Sequence, residues 1–397
     1  MQSLKPSPLM VSEPGSFAEQ TIVKRKPQII RRIIATRLFD RDVIAKLQAL
    51  ETEIANGPVA PLAETFIDTE LWVSAWKPFE GKTWRELPWF FAETFFYRRV
   101  LEATGYYQPG DGHSVDPFMP DKREAMAHGL ADMTSIVKFV SPDLSPEERL
   151  TLWLHRSLWG NRADLSNREV LEQARHHDAD DSSLLVIDHT AAVLKRFYAG
   201  KARRVEFACD NAGLELLADM FLADELLQQE LVDQVVFNLK PGPFFVSDAT
   251  MHDFASTLGA MQGAQAEPIR EVHARLDTAA LRGKVRLTTH PFWITPYFFS
   301  DLPADLQRQF GQADLLILKG DVNYRRLLED RHWPENAELE AIARYMPTSF
   351  LALRTLKSEI IVGLEEGTSA ALSKIDKHWL TNGDRGLVHL VAKEARH

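Results

Sequence analysis

The sequence predicts a helical N-terminal domain followed by a doubly wound α/β domain with a mainly parallel sheet. Three observations carry this expectation. Up to about Gly200 the apolar residues recur at helical spacing. Beyond Gly200, short β-branched runs alternate with helical stretches, the pattern of strands joined by crossover helices. The 397 residues exceed one ordinary domain length, and a hydrophobic content of 45% is enough to bury a sizeable core. The expected domains are residues 1–200 and 201–397, with roughly the first fifteen residues disordered.

Each element has a local reason. "SFAEQTIVKRKPQIIRRII" has helical periodicity interrupted at Pro27, and Arg41 to Asn56 form an amphipathic helix stopped by Gly57-Pro58. The aromatic-rich stretch Pro88 to Gly105 has proline at its start and glycine at its end. In "SPEERLTLWLHRSLWG", Ser145 suits an N-cap, Pro146 the first helical position, and Glu148 completes a capping box. Ser183 to Gly200 read as a last helix of this half. The strands that follow are "RVEFAC", "QVVFNL", "FFVSD", "KVRLTTH", "ADLLILKG" and "SFLALRT", with "LELLADMFLADELLQ" a helix after the first.

Bulk properties exclude several classes. A net charge of −10 disfavours nucleic-acid or anionic-membrane binding. The N-terminus lacks the apolar run of a secretion signal, and no later stretch is long and apolar enough to span a bilayer. The lone Cys209 fits a reducing compartment. The expectation is a soluble, cytoplasmic protein.

In an open α/β sheet, ligands bind beyond the carboxyl ends of the strands. Those ends carry Asp210 and Asn211, then Asp248, then His290, then Lys319 to Arg325, and finally Arg354, Thr355 and Lys357. Asp210, Asn211 and Asp248 are hard oxygen donors, the ligand type of Mg²⁺ or Mn²⁺. Lys319, Arg325, Arg354 and Lys357 are cations able to hold a phosphate. A divalent ion beside a cationic cradle is equipment for phosphoryl transfer. Each residue also has a plainer use: Asp210, Asn211 and Asp248 as helix caps, the cations as solvated side chains, His290 as a loop histidine, and Cys209 as a small buried residue.

The chain resembles the damage-control phosphatases, once grouped as a domain of unknown function. It is most similar to their subfamily III, marked by an Arg-Thr-x-Lys motif that stands here as Arg354-Thr355-Leu356-Lys357. "SFAEQTIVKRKPQI", "PWFFAETFFYRR", "SLWGNRADLS", "DNAGLEL", "PFFVSDATMHDF", "LKGDVNYRRL" and "RTLKSEIIVGL" span almost the whole chain in the family's order.

The resemblance implies a Rossmann-like α/β/α domain and a metal (Mn²⁺, Co²⁺, Ni²⁺ or Mg²⁺) held by Asp210, Asn211 and Asp248. It implies substrate contacts from Glu215, Asp321, Val322, Asn323, Tyr324, Arg325 and Lys357. The implied reaction is hydrolysis of small phosphate monoesters, sugar phosphates such as fructose 1-phosphate among them. The alternatives are an S-adenosylmethionine-dependent protein-glutamate methyltransferase and a non-enzymatic binding protein. The loop "CDNAGLE" has one glycine and two potential metal ligands where such a methyltransferase needs a glycine-rich turn, which favours the phosphatase.

For catalysis, Asp210, Asp248 and Lys357 are the candidates. A water nucleophile is preferred over the Asp210 carboxylate, and either Asp248 or Asp321 would take the proton. "WGNRADLS" is a candidate flap over the pocket.

Overall fold

The computed structural model describes residues 5–160, 181–200 and 202–393. Residues 161–166 of the candidate flap lie outside that set. Ser16 caps α1 (Phe17–Gln20), and Thr21–Arg25 widen into a π-turn before α2 (Lys26–Ala35). Pro27 thus falls in the first turn of α2, where its missing N–H costs little. Asp40 caps α3 (Arg41–Asn56), which stops at Gly57 as predicted. Then come α4 (Thr69–Trp76), α5 (Trp89–Ala103), α6 (Met119–Phe139) and α7 (Pro146–Trp159). The last opens with the Ser145/Glu148 capping box that the sequence predicts.

The stretch Ser183–Gly200 is not one helix. It holds a short strand, β1 (Leu185–Asp188), before α8 (Thr190–Ala199). The chain continues through β2 (Ala202–Ala208), α9 (Leu214–Gln228), β3 (Val232–Leu239), α10 (Met251–Gln262), α11 (Glu267–Leu281) and β4 (Val285–Thr289). It ends with α12 (Ala304–Gly311), β5 (Leu315–Lys319), α13 (Gly320–Leu327), α14 (Leu339–Ile342), β6 (Phe350–Thr355), α15 (Thr368–Ile375) and β7 (Gly386–Val391). "FFVSD" forms no strand. Asp248 makes a single antiparallel bridge to Asn211 instead.

The seven strands lie in the order β1-β7-β6-β5-β2-β3-β4, all neighbours parallel except β6 and β7. Alternation along the strands feeds two cores. Val205, Phe207, Ile317 and Leu351 face a cluster with α7, α9 and α11, while Ala208, Leu318, Phe350 and Ala352 face one with α2, α3 and α5. This is the doubly wound, mainly parallel α/β architecture that the pattern predicts. The order reverses between β2 and β5, and such a switch point opens a crevice at the strand ends. Among the described residues no helix is long and apolar enough to cross a membrane.

The expected N-terminal disorder does not extend over residues 5–15. Leu9 N donates to Asp330 O at 2.9 Å, Trp89 N to Leu9 O at 2.8 Å, and Val11 N to Leu87 O at 3.0 Å. Leu9 and Val11 are buried in the core, so hydrophobic burial holds this strap as well as hydrogen bonds.

Candidate active site

The segment after β2 and the loop after β3 cross antiparallel at the switch point. Ala249 N donates to Asp210 O at 2.8 Å and Ala212 N to Ser247 O at 2.7 Å, which clamps Asp210, Asn211 and Asp248 together. Asp210 and Asp248 do not serve as helix caps. The N-cap of α9 is Gly213, and that of α10 is Thr250 in a capping box with Asp253. Both aspartates are nonetheless buried.

Burial pushes the Asp210 carboxyl well above its usual range, and the neighbouring Glu215 and Asp248 charges push it further, against Lys240 and Lys357. Burial also raises Asp248, partly offset by Lys240. Oδ2 of Asp248 lies 3.2 Å from Lys240 Nζ yet accepts no hydrogen bond. Two buried carboxylates on one crossing, one with an oxygen that accepts no hydrogen bond, can take a further cation besides Lys240. Asn211, on the same crossing, carries an amide oxygen that accepts from Ser247 Oγ at 2.5 Å. This all-oxygen donor set fits a hard divalent ion. Among the described residues no group of three or more His, Cys, Asp and Glu side chains forms a metal cluster, and here one of the three donors is an asparagine.

Lys240 was not anticipated from the sequence. It ends the apolar run "VVFNLK", is buried, and donates through Nζ to Cys209 O at 2.7 Å. It thereby ties the residue before Asp210 to the carboxylate of Asp248. Only its position after a strand could have signalled this.

The end of β5 forms the opposite wall. Gly320 has φ +77°, and a β-carbon there would stand 1.9 Å from Asp210 Oδ2. The Asp210 carboxylate therefore rests directly on the first turn of α13. Asp321 next to it accepts from Arg325 Nε at 2.9 Å, Arg354 Nε at 2.8 Å and Ser358 Oγ at 2.7 Å. Burial alone would raise its carboxyl, but Arg354 and Arg325 prevail and pull it down to about 2.

The expected substrate segment is largely interior. Val322 is half-buried. Asn323 Nδ2 donates to Lys319 O at 2.8 Å. Tyr324 is buried with its hydroxyl accepting from Val362 N at 3.2 Å, beneath the Arg354 guanidinium. Arg325 is fully buried, paired with Asp321 and Asp330, and stacked 3.8 Å from the Trp89 ring. Lys357, half-buried, carries a charge that Asp210 feels. Arg354 and Lys319 are buried rather than solvated. His290 lies outside the cluster, accepting from Phe292 N at 3.0 Å and paired with Asp305. Cys209 is buried, and burial pushes its thiol well up.

Glu215, in the first turn of α9, is buried and accepts from Asn211 Nδ2 at 2.8 Å. Lys319 Nζ lies 3.3 Å from its Oε1 and 2.8 Å from Asp219 Oδ1, and also donates to Ser157. A β-carbon on Gly160 would stand 2.6 Å from Glu215 Cα, so glycine lets the end of α7 approach this closely. A separate cavity of about 850 Å³, bordered by Leu50, Arg99 and Gly112, contains none of these residues.

The fold is a doubly wound α/β sheet whose switch point carries two buried carboxylates with buried cations around them. The sequence matches the family described as "Damage-control phosphatase ARMT1-like domain" over residues 21–372. Similar proteins include Damage-control phosphatase ARMT1 of Mus musculus, 30% identical, with 96% of this chain and 98% of that one aligned. The Homo sapiens protein of that name is 31% identical over the same shares of the two chains. A DUF89 family protein of Pyrococcus horikoshii aligns over 90% of this chain and 93% of its own, at 14% identity and TM-score 0.48. The chain belongs to the damage-control phosphatase family.

Proposed function

We propose that this protein hydrolyses phosphate monoesters of small metabolites, sugar phosphates such as fructose 1-phosphate among them, with a divalent cation. The observation that carries this reading is the clamped pair Asp210 and Asp248, both buried, with one Asp248 oxygen left without a hydrogen bond beside Lys240. Asp210, Asn211 and Asp248 would hold Mn²⁺, Co²⁺, Ni²⁺ or Mg²⁺, which supplies Lewis-acid polarisation of a phosphoryl oxygen. Lys357 neutralises a further phosphate oxygen, since its ammonium already lies within the electrostatic reach of Asp210.

Water is the nucleophile in this scheme. The Asp210 carboxylate is wedged against Gly320 and bonded by Asn211 at 2.8 Å, which suits a fixed ligand better than an attacking group. Asp321 is taken up by Arg354, Arg325 and Ser358 and makes a weak base, which favours Asp248 as proton acceptor. Asp321 therefore holds the far wall, with Asn323, Tyr324 and Arg325 supporting it from behind, and substrate reaches the Val322 side of the segment. The single Cys209 is consistent with work in the cytoplasm.

The test is a hydrolysis screen over phosphorylated metabolites, with and without added metal, scored by phosphate release. Chelator should abolish the release, Mn²⁺, Co²⁺ or Ni²⁺ should restore it, and S-adenosylmethionine should change nothing. Full activity in exhaustively chelated protein, or consumption of S-adenosylmethionine with the esters intact, would refute the proposal.

A further inference from the structure

The side chain of Asn211 is held at both ends. Its Nδ2 donates to Glu215 Oε2 and to Asp210 Oδ2, each at 2.8 Å, and its Oδ1 accepts from Ser247 Oγ at 2.5 Å. An amide has one acceptor end and one donor end, so these partners are not interchangeable. The hydroxyl of Ser247 tolerates either end. A carboxylate does not: turned over, the amide would set Oδ1 against Glu215, with no proton between them. Glu215, together with Asp210, thus decides which end of Asn211 faces the loop that carries Asp248.

We infer that Glu215 is a positioning residue whose carboxylate fixes the amide of Asn211 so that oxygen, not nitrogen, is offered to a cation. This rests on the metal-dependent reading above and replaces a direct substrate contact for Glu215. Two observations support it. Glu215 is 3% exposed, with Oε2 on the amide and Oε1 3.3 Å from Lys319, so its carboxylate is turned onto the protein's own groups. Lys319 is itself anchored on Asp219 and Ser157, which holds the Glu215 side chain in one place.

The test is Mn²⁺ binding to the full chain by calorimetry, for Glu215→Gln, Asn211→Asp and the double variant. The glutamine side chain is nearly isosteric with that of Glu215, and its NH₂ group can face Oδ1 and turn the Asn211 amide over. Loss of such an orienting partner should weaken Mn²⁺ binding by about tenfold or more. The double variant exchanges acid and amide, keeps the net charge, and lets the introduced amide donate to the introduced carboxylate. It should bind Mn²⁺ at least about threefold more tightly than Asn211→Asp alone, whose carboxylate faces Glu215 as well as Asp210. The KM for p-nitrophenyl phosphate at saturating Mn²⁺ should stay unchanged in Glu215→Gln. Normal Mn²⁺ affinity in Glu215→Gln, with or without a raised KM, would overturn the inference alone. Wild-type protein that binds no Mn²⁺ would overturn the metal reading and this inference together.

Discussion

Replacing Gly320 by alanine tests how closely the Asp210 carboxylate depends on the start of α13. The new β-carbon would stand 1.9 Å from Oδ2 and 2.4 Å from Cγ, where contacts under 3.0 Å are not tolerated. The carboxylate must therefore withdraw by 3.0 − 1.9 = 1.1 Å, or the backbone must shift by that much. At φ +77° an L-residue also pays about 1–2 kcal/mol of backbone strain. A displacement of about 1 Å at a reacting centre costs roughly a hundredfold in rate. Gly320→Ala should therefore lose about 99% of phosphate release at saturating Mn²⁺, with a fall of only a few degrees in melting temperature. Gly311→Ala, where a β-carbon meets nothing within 4 Å, is the matched control and should behave as wild type. If Gly320→Ala keeps activity within twofold of wild type, the carboxylate is not held by this contact.

Three further outcomes follow from the site and its supports. Lys357→Met should fold and bind Mn²⁺ normally yet slow phosphate release by about thirty- to a thousandfold, the loss of roughly 2–4 kcal/mol in the transition state; unchanged kinetics would make it a surface lysine. Arg325→Met strands Asp330 and removes one of the two cations from Asp321, and urea unfolding should report a loss of about 3–5 kcal/mol. An unchanged midpoint with a raised KM would return Arg325 to the substrate. Burial, with the His189 charge, pushes His389 down to about 4. The unfolded chain then takes up the proton first, so stability is complete above about pH 6.5 and falls as pH drops toward 4, by about 3 kcal/mol at most. His389→Gln should lose that part of the pH dependence, and an identical pH slope in both proteins would count against it.

Much of this was legible because strand and helix patterns are local. The runs at 204–208, 235–239, 285–289, 315–319 and 350–355 all became strands, and the polar residues just past them mark the switch point. β1 escaped because its four residues merge with the apolar period of α8, and β7 was not among the predicted strands. "FFVSD" looked like a strand, but its aromatics pack on Tyr97, far away in sequence. Asp210, Asn211 and Asp248 could be listed from residue type, whereas their crossing needs the backbone bonds of two distant loops. The burial of the segment 321–325 was hidden for a similar reason. Helical spacing turns Arg325 back onto Asp321, and Trp89 covers it from another part of the chain.

The strap at residues 5–11 gives the beginning of the described chain an influence that terminal segments rarely have. It pairs with residues 329–331, immediately beyond α13, and Asp330 in turn holds Arg325, which holds Asp321. Cutting or displacing the strap would therefore unfasten the far wall of the site from behind, with no change to any residue in the pocket. Deletions or proteolytic nicks near Leu9 should be read for their effect on Asp321 as well as on stability.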